Sequence, residues 1–106
     1  MTELLHLTER GIWEAAQTAG VYRHSTRGSS LEEVGFIHAS LPRQLPTVAA
    51  LLYGSPPERD DLVVLVVDDR GLDVRYEAAE PGGEEFPHLY GPLPLDAVLR
   101  VEPWRG

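Results

Sequence analysis

Three of the four histidines lie on predicted strands, each two residues before a hydroxyl: His6 before Thr8, His38 before Ser40, and His88 before Tyr90. In an extended strand, residues two apart point to the same face, so each pair sets an imidazole beside a hydroxyl. Imidazole is the side chain best suited to proton transfer or ligand hydrogen bonding near neutral pH. The run Gly35-Phe36-Ile37-His38-Ala39-Ser40 carries the pattern furthest. Phe36, His38 and Ser40 would share one face and Ile37 and Ala39 the other, which describes a pocket wall. Two readings of His38 stay open: a ligand-facing group, or a partly buried histidine bonded to Ser40 or to a backbone carbonyl.

Arg75 and Glu77 add charge on a neighbouring predicted strand. They read either as an exposed ion pair worth at most about 1 kcal/mol, or as cleft residues. In the second case Glu77 would orient an imidazole or bind a ribose hydroxyl, and Arg75 would hold an anion. A Ser-His-acid hydrolase is disfavoured, because Ser40 lacks the glycine-flanked tight turn of a nucleophile elbow. Pro81-Gly82-Gly83 lies among acids that repel phosphate, so no phosphate loop is expected. The four histidines, at 6, 24, 38 and 88, show no recognised ligand spacing, and no metal site is predicted. His24 reads as a loop residue.

These side chains need elements to hold them. Leu4 to Leu7 reads as a short strand, and Thr8 as the cap of a helix over residues 9–19, with Ile12, Trp13, Ala16 and Ala19 at helical spacing and Gly20 ending it. Val21 and Tyr22 read as a brief extended piece. Residues 23–30 read as an exposed loop, and residues 31–34 as one helical turn capped by Ser29 or Ser30. After the strand at 35–40, Ser40 is a candidate cap, but Pro42 and Pro46 place the helix proper from Pro46. Leu45, Val48, Ala49 and Leu52 give that helix its core-facing stripe. Leu62 to Val67 is six aliphatic residues, apolar on both faces, and reads as a central strand. Strands at 74–77, 86–91 and 98–104 follow. This order predicts one α+β domain over residues 1–106, with two or three helices packed on a small, twisted, mainly antiparallel sheet.

Composition narrows the function classes. The formal net charge is −8 and all nine basic residues are arginines, without basic clustering, so nucleic acid is not an expected partner. One or two placed arginines could still bind a small anion. The absence of cysteine excludes disulfides and thiolate metal sites and predicts a cytoplasmic, reducing home. No apolar run approaches the roughly 20 residues that span a bilayer, and no membrane association is expected.

The N-terminal strand and tryptophan helix, Gly35-Phe36-Ile37-His38-Ala39-Ser40, Val74-Arg75-Tyr76-Glu77 and Phe86-Pro87-His88-Leu89-Tyr90-Gly91-Pro92-Leu93-Pro94 together resemble the bacterial domain-of-unknown-function 952 family. That resemblance implies likeness to the ADP-ribosyltransferase superfold, a small split sheet holding NAD in a cleft. It maps His38, Ser40, Arg75, Glu77, His88 and Tyr90 to the site, with His6 as the early-strand residue. The expected ligand is NAD, ADP-ribose or a related nucleotide, with His38, Glu77 and His88 as candidate catalytic groups. His6, Thr8, Ser40, Arg75 and Tyr90 are the candidate binding groups. The late strands offer His88 and Tyr90 where such transferases carry a glutamate, so both an enzyme and a non-catalytic module for a small metabolite or a protein partner stay open. Oligomeric state is not legible.

Overall fold

Alternation along the first strand decides which residues serve which side of the main sheet. The computed structural model describes residues 1–106. Its first strand, β1 (Glu3–Glu9), sends Leu4, His6 and Thr8 to one face and Leu5 and Leu7 to the other, and runs directly into α1 (Arg10–Ala19). Thr8 does not cap that helix, because the strand continues through it and Glu9 takes the cap position in extended backbone; the Thr8 hydroxyl is buried without a hydrogen bond. Gly20 ends α1 as expected, with φ 85° and its N–H on the Ala16 carbonyl.

Three short strands follow: β2 (Val21–Tyr22), β3 (His24–Thr26) and β4 (Ser29–Ser30). Residues 23–30 are therefore not an open loop. β3 and β4 form a small hairpin, and Ser25 is fully buried with its hydroxyl donating to the Phe36 carbonyl. Ser30 then caps α2 (Leu31–Val34) through a capping box, its hydroxyl accepting from the Glu33 N–H while the Glu33 carboxylate accepts from the Ser30 N–H.

The remaining elements are β5 (Ile37–His38), α3 (Leu45–Tyr53), β6 (Leu62–Asp68), β7 (Val74–Ala78), β8 (Glu85–Leu89), β9 (Leu93–Pro94), a 3₁₀ turn (Leu95–Ala97) and β10 (Val98–Pro103). Helix α3 begins one residue before Pro46, which tolerates its missing N–H in the first turn, where that donor has no partner within the helix. Gln44, not Ser40, occupies the cap position.

Every strand pairing is antiparallel. One three-stranded sheet has the order β1-β6-β10 and another the order β5-β8-β7, with the pairs β2-β9 and β3-β4 beside them. The segment from residue 37 to 40 joins the two larger sheets. Ile37 and His38 pair with Leu89 and His88, after which Ser40 exchanges two backbone hydrogen bonds of 2.8 Å with Leu5 on the free edge of β1. The alternation along this segment is as the sequence implies: Ile37 and Ala39 enter the core.

β6 is buried on both faces, as its unbroken aliphatic run requires. Val63, Leu65 and Val67 join Leu4, Tyr22, Ile37 and Leu89 in one core. Leu62, Val64 and Val66 pack with Leu7, Leu45, Ala49 and Tyr53 under α3 in another.

Candidate functional site

A cleft of about 700 Å³ opens between α3 and the sheet that carries β7 and β8. The joining segment brings His38 and Ser40 to its wall, β7 brings Glu77, and β8 with the residue after it brings His88 and Tyr90. Register accounts for the meeting: His38 lies opposite His88, while Glu77 lies opposite Phe86. Glu77 thus stands on the same face as its diagonal neighbour His88. The opposite wall is aliphatic, from Leu45, Val48, Leu51 and Leu52 of α3.

Glu77 Oε1 accepts two hydrogen bonds, from His88 Nδ1 at 2.8 Å and from the Tyr90 hydroxyl at 2.6 Å. These bonds, the Tyr90 one first, hold the Glu77 carboxyl below the usual carboxylate range, and the same contact pushes the Tyr90 phenol up. With its Nδ1 proton directed at a carboxylate, His88 keeps the lone pair on Nε2, the arrangement of a carboxylate-oriented base. Phe36 stacks on the His88 ring at 4.0 Å and 16° between planes, and the His38 ring meets it edge-on at 5.3 Å. Burial, and then the neighbouring His88, push the His38 imidazole down, so it is neutral at pH 7. The cleft can therefore accept, donate and transfer protons at one end while it holds apolar surface at the other.

His6 edges this cleft, but both of its ring nitrogens are taken. The His38 carbonyl only accepts, so Nδ1 donates to it at 2.5 Å, and Nε2 accepts the Tyr22 hydroxyl at 2.7 Å. Its place is to tie β1 to the joining segment. Thr8 does not reach the cleft; it shares the buried face of β1 with His6, two residues farther along. Arg75 does not line the cleft either and does not pair with Glu77. Asp73 binds its guanidinium at 3.0 Å, and the group lies 4.0 Å over the Tyr90 ring. His24 sits on β3 rather than in a loop, half-buried, its Nε2 without a partner. No cluster of three or more His, Asp or Glu side chains is close enough to hold a metal ion.

Two contributors escaped the reading of polar residues alone. Phe36 was visible as the ring sharing a face with His38, and its stacking on His88 needed the pairing of β5 with β8. Leu51 lies off the core-facing stripe of α3 and is 81% exposed, so helical periodicity assigns it to solvent.

These features define a small α+β domain with a ligand-sized cleft walled by a helix and by a histidine-carboxylate-phenol cluster. The chain belongs to the family described as "Protein of unknown function (DUF952)", whose model matches residues 7–101. It is similar to the crystal structure of protein CC0527 from Caulobacter crescentus, at 33% identity over 96% of this chain and 85% of that one, with a TM-score of 0.80. The solution structure of the same Caulobacter protein matches 99% of this chain and 86% of that one, at 33% identity with a TM-score of 0.77. No curated protein matches the sequence. No helix is long and apolar enough to cross a membrane.

Proposed function

We propose that this protein binds a small molecule in the cleft between α3 and the β5-β8-β7 sheet, in the cytoplasm. The ligand class is the one its ADP-ribosyltransferase resemblance implies: NAD, ADP-ribose or a related nucleotide. The reading is carried by one observation, the meeting of His38, Glu77, His88 and Tyr90 at the polar end of an otherwise apolar cleft. In this reading Phe36 and His88 offer a stacked face to a flat ring, Tyr90 and Ser40 border it, and His38 bonds a ribose or carboxamide. Glu77 and His88 would serve ribosyl transfer or hydrolysis, one as the carboxylate that steadies a developing positive sugar, the other as the base for the attacking group.

A non-catalytic module for a small metabolite is the second reading, and a specific observation favours it. No arginine lines the cleft, and Arg75, the cation nearest the cluster, is already bonded to Asp73. A diphosphate would find no free cation inside.

Thermal-shift measurements with NAD, ADP-ribose, nicotinamide and nucleosides test the proposal. A ligand at about 100 times its Kd adds about 2.7 kcal/mol, a rise of roughly ten degrees or more for a domain of this size. His38→Ala and His88→Ala should abolish the shift while leaving the ligand-free protein folded. An unmoved melting temperature across the panel removes the nucleotide reading. A shift without turnover of NAD selects the non-catalytic one.

A further inference from the structure

We infer that the cleft takes a small amphiphile whose nitrogen-bearing head donates hydrogen bonds and is neutral or cationic, of the aryl amide or amidine class, and that it keeps carboxylates and phosphates out. This rests on the cleft being a ligand site, as proposed above; it takes the small-metabolite reading over the diphosphate nucleotides and adds the charge and polarity of what enters. Glu77 is the only Asp, Glu, Arg or Lys among the lining residues, and the chain has no lysine at all. An anion in the cleft would face that carboxylate with no cation in the lining, and the nearest, Arg75, is already bonded to Asp73, in a molecule whose net charge is −8.

On Glu77 and His88 the unclaimed polar atoms are acceptors, while His38 and Ser40 add an N–H and a hydroxyl nearby. Both hydrogen bonds to Glu77 land on Oε1, which leaves Oε2 open on a side chain 40% exposed. His88 donates its Nδ1–H to that carboxylate, so the neutral imidazole offers its lone pair at Nε2 as another acceptor. Two acceptors on bonded neighbours, Glu77 and His88, suit a head with at least two N–H groups. The body is set by the apolar lining, where Val48, Leu51 and Leu52 of α3 and Phe86 offer no polar side chain.

Three ligands that share one hexylphenyl body test this by calorimetry, with backbone NMR shifts locating the site: para-hexylbenzamidine, para-hexylbenzamide and para-hexylbenzoate. The amidine should bind tightest and the benzoate weakest, the two separated by about tenfold, the size of one partly exposed charge-assisted hydrogen bond. Added salt should weaken the amidine alone. Glu77→Gln should erase the advantage of the amidine over the amide. Leu51→Arg, at an exposed rim position that folding tolerates, should instead draw the benzoate in, and it keeps the test informative if Glu77→Gln misfolds. Benzoate binding as tightly as amidine in the wild type overturns the inference and leaves the cleft a ligand site. Shifts away from Glu77, His88 and α3, or no binding by any of the three, also overturn it, and the nucleotide panel then decides separately whether the cleft binds anything.

Discussion

His6 and His88 carry the same side chain to opposite ends. His6 is buried with a donor bond to the His38 carbonyl and an acceptor bond from Tyr22, and burial pushes its imidazole down to about 4. A histidine that is neutral in the fold and free to protonate when unfolded contributes stability that is complete above about pH 6.5 and is lost as pH falls towards about 4. The loss from His6 alone is about 3 kcal/mol. His24 and His38, which face it from β3 and the joining segment, are pushed down by burial and act in the same sense. Melting temperature should therefore fall between pH 7 and pH 4, and His6→Gln, which keeps a donor and an acceptor, should flatten part of that slope; an unchanged slope in the variant would count against this account. At this scale the sequence was informative about His38, Glu77, His88 and Tyr90, because strand alternation alone groups each histidine with its hydroxyl. It was not informative about Arg75, whose partner Asp73 lies outside the predicted strand, nor about His6, whose partners lie 16 and 32 residues away.

Short-range chemistry governs the elements that deliver these residues. The capping box at Ser30 and Glu33 starts a helix of only four residues, which hydrogen bonding along so short a helix could not hold by itself. Ser30→Ala should cost about 1 kcal/mol, read as a lower urea midpoint at unchanged slope, and a neutral result would show that packing of Leu31 alone fixes the turn. Gly35 follows with φ 100°, a left-handed conformation that a side chain resists, and turns the chain into β5. The capping signal and the glycine stop are local and were legible. The hairpin of β3 and β4 was not: its residues are polar, and the buried Ser25 hydroxyl finds its partner in the Phe36 carbonyl, eleven residues on.

At the scale of the molecule, β6 is the strand on which both cores close. Leu65 is fully buried in one of them, opposite His6 in the register of β1. Leu65→Ala should cost about 3 to 4 kcal/mol through lost burial and the cavity left behind. Because the two cores share one strand, the variant should still unfold in a single transition by circular dichroism and tryptophan fluorescence; two separated transitions would show that the cores are independent. The sequence by itself determined the α+β class, the two-faced central strand, most helix ends and the faces on which the histidines lie, because periodicity, capping and alternation are interactions within a few residues. Only the tertiary structure decided that the segment from 37 to 40 leaves one sheet for the other, that Glu77 joins His88 and Tyr90, and that Thr8 and Arg75 stand outside the cleft. Those outcomes depend on strand order and register between distant segments, and a face pattern of period two states which side a residue takes without stating which strand it will meet.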